Sequence, residues 1–140
     1  MKKIKVSFDF DGSIEHYFDG TENPNREKVQ NLFREFHLSE NVDVHIITRR
    51  FDFENCSKGK GHEHKEVLEF AQSLDFPLEK IFFTNREYKF SKIRELNIDI
   101  HLDDEELEIH LINTWTTAKG VHLEAPGWEE HLKQILKFHE

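Results

Sequence analysis

Short runs rich in β-branched and aromatic residues alternate with stretches of helical periodicity along the chain. This alternation narrows the possible folds more than any other feature. Residues 4–8, 42–47, 80–84, 98–102 and 119–123 read as strands. Between the first two, residues 26–37 place Val29, Leu32, Phe33 and Phe36 on one helical face; residues 63–74 do the same with Val67, Phe70, Ala71 and Leu74. Further helices are expected over residues 89–96, 105–112 and 127–138, the last entered through Pro126. Strands alternating with helices favour a sheet covered on both faces, so the expected fold is a three-layer, Rossmann-like α/β domain with a central, mainly parallel five-stranded sheet. The 140 residues are read as one domain, 1–140.

The first strand ends unusually. The stretch VSFDFDGS, from Val6 to Ser13, closes an apolar run with Asp9 and Asp11, one residue apart. Two like charges about 4 Å apart repel by roughly 4 kcal/mol at an effective dielectric of 20, so something positive is expected nearby. Ligands of open parallel sheets gather at the carboxyl ends of the strands. Asp9, Asp11, Thr48, Asp103 and Asp104 all fall at that edge. Carboxylates converging there with a hydroxyl and a lysine suit a hard divalent cation and a phosphate. Mg²⁺ prefers oxygen ligands, keeps several waters, and commonly takes carboxylates together with substrate phosphate oxygens. One aspartate can then attack phosphorus while another moves protons. The plainer reading, a turn made by Gly12 and Ser13, would hold for an isolated DFDGS. A second strand ending in LDD, with TRR between the two, argues against it.

At these residues the chain resembles the haloacid dehalogenase-like (HAD) superfamily of phosphatases. Asp9-Phe10-Asp11-Gly12-Ser13 resembles the first motif, HIIT ending at Thr48 the second, Lys89 the third, and HLDD with Asp103 and Asp104 the fourth, in order over nearly the whole chain. The resemblance implies a Mg²⁺-dependent phosphoric monoester hydrolase with Asp9 as nucleophile and Asp11 as general acid and base. It implies that the Asp9 carboxylate, the Asp11 carbonyl and Asp103 hold Mg²⁺, supported by Asp104. Thr48, the amides around Phe10 and Gly12, and Lys89 would hold the phosphoryl group. Ser13 replaces the commoner threonine. Lys92 lies three residues beyond Lys89; Lys89 is preferred because the helix begins near it. Neither gap between motifs fits a full cap domain, so the chain resembles the capless subgroup, with residues 15–25 as a small flap and residues 49–61 as a loop over the site. The phosphorylated substrate is then small or macromolecular. A nucleotidase or polynucleotide-end phosphatase is the alternative enzyme. A regulatory protein keeping the fold without turnover is the alternative from another class.

A formal charge of −9 argues against broad binding to nucleic-acid backbones or anionic membrane, leaving nucleic acid only as a substrate end. The single cysteine, Cys56, forms no intrachain disulfide and suits a reducing, cytoplasmic setting. The apolar run in MKKIKVSFDF is broken by Lys5 and Asp9 and is not expected to be a signal peptide. Arg49 and Arg50 either reach a second phosphate or substrate carboxylate or solvate a loop. Cys56, His62 and His64 lack the paired spacing of a zinc site. Trp115 and Trp128 are expected to pack, and the remaining histidines to lie at the surface.

Overall fold

The computed structural model describes residues 2–139. Five strands, β1 (Ile4–Phe8), β2 (Val42–Thr48), β3 (Ile81–Phe83), β4 (Ile100–Asp103) and β5 (Lys119–His122), form one sheet in the order β3-β2-β1-β4-β5. Every pairing is parallel, so the expected sheet is parallel throughout. The helices are α1 (Arg26–Leu38), α2 (Glu63–Ser73), α3 (Phe90–Leu96), α4 (Glu106–Trp115) and α5 (Trp128–Phe138).

Strand order explains the layers. The chain moves outward from β1 through β2 to β3, then returns across the sheet to β4 and continues to β5. Right-handed crossovers place the helices of these two directions on opposite faces. Accordingly Val29 and Phe33 of α1, Val67 and Ala71 of α2, and Leu132 and Ile135 of α5 share the main core with Val6, Phe8, Ile46 and Leu102. Ile93 of α3 and Ile112 of α4 form a smaller cluster with Ile47 and Ile98 on the other face. The order reverses between β1 and β4, and that reversal opens a crevice at their carboxyl ends.

Phenylalanine fills the main core. The Phe33 ring lies 5.2 Å from Phe8, 5.4 Å from Phe70 and 5.1 Å from Phe76, centroid to centroid, in edge-on or tilted contact. Such pairs add to the burial of their area. The opposite face is more polar. Residues of a strand alternate between faces, so Ser7, His45, His101 and Asp103 point away from the phenylalanine core, and all four are buried.

Several expectations need correction. His45 and His101 are buried rather than on the surface, and His64, in the first turn of α2, is buried as well. Trp128 packs into the main core, but Trp115 is 59% exposed at the end of a helix that runs three residues further than its sequence suggested. β4 begins at Ile100, two residues late, because the Ile98 N–H closes the end of α3 by donating to the Ile93 carbonyl at 3.1 Å, and the Asp99 side chain accepts the Lys5 N–H. Among the described residues no helix is long and apolar enough to cross a membrane.

Because Phe33 joins three other rings at 0% exposure, Phe33→Ala should lower unfolding free energy by about 3–5 kcal/mol. Urea titration should show a lower midpoint with an unchanged slope.

Candidate functional site

The register of β1 against β4 sets the site. Phe8 pairs with Leu102, so the next residues, Asp9 and Asp103, stand side by side where the strands end; the Asp9 N–H still donates to the Leu102 carbonyl at 2.9 Å. The cation expected beside them is Lys89. Its Nζ donates to Asp9 Oδ1 and to Asp103 Oδ2, both at 2.6 Å, with all three side chains buried. Lys89 occupies the N-terminal cap of α3, and its backbone N–H donates to Glu108 Oε1. Lys92, one turn on, instead pairs with Glu95 at 2.6 Å.

The charges do not balance. Carboxylate oxygens of Asp9, Asp103 and Asp104 lie within 4.8 Å of one another, around a single ammonium. Burial, and then the Asp103 charge, push the Asp9 carboxyl well above its ordinary range, more than Lys89 offsets. Burial, with Asp103 adding, also raises Asp104 to about 6. Burial would raise Asp103 too, but Lys89 and His101 hold it well below the usual carboxylate range. Two carboxyls whose ionisation is disfavoured beside one whose ionisation is favoured describe a pocket short of positive charge. That is the condition a divalent cation relieves, and three oxygen donors suit a hard one.

Asp103 is oriented from beneath. His101, two residues earlier on the same strand face, is fully buried; its Nε2 lies 2.8 Å from Asp103 Oδ2 and its Nδ1 2.7 Å from Ser7 Oγ. An ionised carboxylate only accepts, so Nε2 carries the hydrogen, Nδ1 accepts, and Ser7 is the donor that fixes this tautomer. Burial keeps the imidazole neutral. On the other oxygen, Asp103 Oδ1 accepts the Glu105 N–H at 3.1 Å.

The mouth of the site is built from arginines. The Asp11 side chain turns to Arg50, which grips both its oxygens at 2.9 and 2.6 Å, while Arg50 Nη1 donates to the Glu63 carbonyl. The buried Glu63 carboxylate accepts from Arg86 at 2.6 and 2.9 Å and from the N–H groups of Phe51 and Lys60, fastening both ends of the loop spanning 51–60. Thr48, at the end of β2, accepts the Arg50 N–H on its hydroxyl, which leaves its own hydrogen free to donate. Arg49 lines the cleft with Asp9, Asp11 and Lys89. The expected flap spanning 15–25 is pinned by Asn23, whose amide donates to the carbonyls of Ser13 and Glu15.

Gly12 is dictated by space. It sits at φ +73°, and a methyl there would collide with the Asp104 carboxylate and approach the Tyr17 ring to 2.9 Å. Its N–H already donates to the His16 carbonyl. Phe10 sends its ring into the main core, so only its backbone faces the strand ends. Cys56, His62 and His64 form no ligand set; among the described residues the only cluster of three or more potential metal ligands is Asp9, Asp103 and Asp104.

The strand ends thus gather Asp9, Asp103, Asp104 and Lys89, with Asp11, Arg49 and Thr48 around them. Sequence reasoning missed Ser7, His101, Glu63 and Arg86. His101 carried a usable signal, since alternation puts it on the same face as Asp103. Glu63 and Arg86, far apart in the chain, carried none. Scans against protein-family models, curated proteins and solved structures give no match.

The Glu63 network makes a pH-dependent contribution to stability. Burial would raise the Glu63 carboxyl, but hydrogen bonds from Arg86, Phe51 and Lys60 hold it at about 2, below its ordinary 4.5. A depressed folded pKa means full stabilisation above about 4.5 and loss as pH falls toward about 2. Glu63→Gln should therefore lower stability by about 2 kcal/mol at pH 7. In urea titrations at successively lower pH the gap to the parent should narrow below about pH 4.5. A gap that ignores pH would contradict the assignment.

Proposed function

We propose that the chain is a phosphoric monoester hydrolase of the HAD type, dependent on Mg²⁺ and working through an aspartyl-phosphate on Asp9. One observation carries this reading: Asp9 and Asp103, delivered by adjacent strands, are clasped by one buried lysine beside a third carboxylate. A turn or a structural ion pair does not need three carboxyls, two of them fully buried, around one ammonium. A phosphoryl-transfer site does, because it must hold both a divalent cation and a nucleophile.

The deficit of positive charge fits the metal. Asp9, Asp103 and the Asp11 carbonyl would hold Mg²⁺, with Asp104 beside them. Once bound, the ion supplies Lewis-acid stabilisation of the phosphoryl oxygens. The residues of the chain do the rest. Lys89 and the Ser13 hydroxyl, 3.1 Å from Asp9 Oδ2, fix the plane of the nucleophile. An Asp9 oxygen attacks phosphorus, and the bond from phosphorus to the leaving oxygen breaks as that oxygen takes a proton from Asp11. Asp11, now ionised, accepts a proton from water; the water oxygen attacks phosphorus, the bond to Asp9 breaks, and phosphate departs. Asp11 reaches this position by releasing Arg50 and taking a proton from solvent, and it gives the proton won from water back to solvent when Arg50 clasps it again, so Arg50 holds the acid–base group between turnovers. Lys89 and Thr48 neutralise the phosphoryl oxygens throughout.

Turnover of phosphomonoesters should disappear on chelation and return with Mg²⁺. Asp9→Asn should abolish it, and Asp11→Asn should lower it by about 10²–10⁴-fold. Independently of turnover, Mg²⁺ should raise the melting temperature of the parent, and Asp103→Asn should shrink that shift more than Asp104→Asn. A parent whose melting temperature ignores Mg²⁺ would contradict the metal assignment.

A further inference from the structure

Lys89 and a divalent cation suffice for one phosphoryl group, yet the cleft holds more positive charge than that. Its volume is about 210 Å³, and its lining sets Lys89, Arg49, Arg50 and Arg86 against Asp9, Asp11 and Glu105. Arg50 is committed to Asp11 and Arg86 to Glu63. Arg49 is different. Its Nε and Nη2 donate to the Arg86 carbonyl at 3.2 and 2.6 Å, while the Arg86 N–H and Nη1 donate to the Arg49 carbonyl at 2.7 and 3.1 Å. The two arginines thus clasp each other's backbone, which keeps like charges adjacent. Asn85 and Arg86 adopt φ of +54° and +74° to make this clasp, a conformation that non-glycine residues rarely hold and that concentrates at functional sites.

The acidic neighbours of Arg49 stand off from it. Glu105, half exposed, is 3.6 Å from Nη1. Glu108 is 3.9 Å from Nε, and its buried Oε2 has no hydrogen-bond partner. The guanidinium lies over the Tyr88 ring, 4.9 Å from its centre, so its plane is held; among the described residues its Nη1 makes no hydrogen bond and meets only the half-exposed Glu105, which an incoming anion would displace. Phe18 lines the cleft, and Lys60 Nζ sits 4.1 Å from the centre of its ring. Glu108 links the two cationic positions: its Oε1 accepts the Lys89 N–H at 3.1 Å while its Oε2 faces Arg49. The Arg49 charge is therefore one carboxylate away from the phosphoryl-binding lysine.

We propose that Arg49, assisted by Lys60, forms a second anion position at the mouth of the cleft, and that the substrate is a phosphomonoester whose leaving group carries another phosphate or a carboxylate. This rests on the phosphatase reading above. Phosphate and carboxylate present the same pair of oxygens to a guanidinium, so the test separates them. With saturating Mg²⁺, kcat/KM is compared within two matched pairs: fructose 6-phosphate against fructose 1,6-bisphosphate, and glycerol 3-phosphate against 3-phosphoglycerate. The doubly anionic member of at least one pair should be preferred by about tenfold or more, the value of one charge-assisted hydrogen bond. The preference should reside mainly in KM and weaken as salt is raised. Arg49→Gln should bring the ratio within that pair close to one, and Lys60→Gln should reduce it less; a ratio cancels any general loss of folded enzyme. Turnover with no preference in either pair, or a preference that survives Arg49→Gln, would overturn the second anion position alone. Turnover of none of the four esters would overturn the phosphatase reading, and this inference with it.

Discussion

The structure depends on one ammonium group shared by two buried carboxylates. Lys89 between Asp9 and Asp103 makes the strand ends of β1 and β4 compatible with each other. Without it the parallel register would juxtapose two unpaired negative charges at the centre of the sheet. Breaking a buried pair by removing one partner typically costs 3–5 kcal/mol, and here a single lysine serves two partners. The two carboxylates outweigh the desolvation of the ammonium and hold it charged, above its ordinary range. The same interaction neutralises only part of the charge gathered there.

Around this centre lies a second layer of ionic contacts with another purpose. Arg50, Glu63 and Arg86 tie together the ends of β2 and β3, the first turn of α2 and the loop spanning 51–60. They also determine where Asp11 rests and where Arg49 presents its guanidinium. A protein of net charge −9 thus gathers Arg49, Arg50, Arg86 and Lys89 around one cleft, a local grouping of cations distinct from the broad positive face that general attraction to polyanions needs.

Much of the architecture was legible in the sequence because period and composition agreed. The runs spanning 4–8 and 42–47 are apolar, β-branched and bounded by helical patterns, and both became central strands. The aspartates were legible as a group because strand ends in such sheets converge whatever their separation in the chain. The polarity of the second sheet face was harder to read. Ser7 and His101 look like ordinary strand residues until the register pairs them, and pairing is a property of the sheet. The arginine network was illegible for a similar reason. Glu63 reads as a helix start and Arg86 as a loop cation; only the left-handed turn at Asn85 and Arg86 brings them together.

The central claim is that Asp9 becomes covalently phosphorylated. It is tested most directly by reacting the protein with a radiolabelled phosphomonoester and Mg²⁺, quenching in acid within the first turnover, and mapping the label by peptide mass spectrometry. The account predicts an acid-stable, base-labile phosphoryl group on the peptide containing Asp9, which appears before free phosphate and is lost on a chase with unlabelled substrate. Release of labelled phosphate with no labelled protein at any quench time, or a label on a residue other than Asp9, would contradict it.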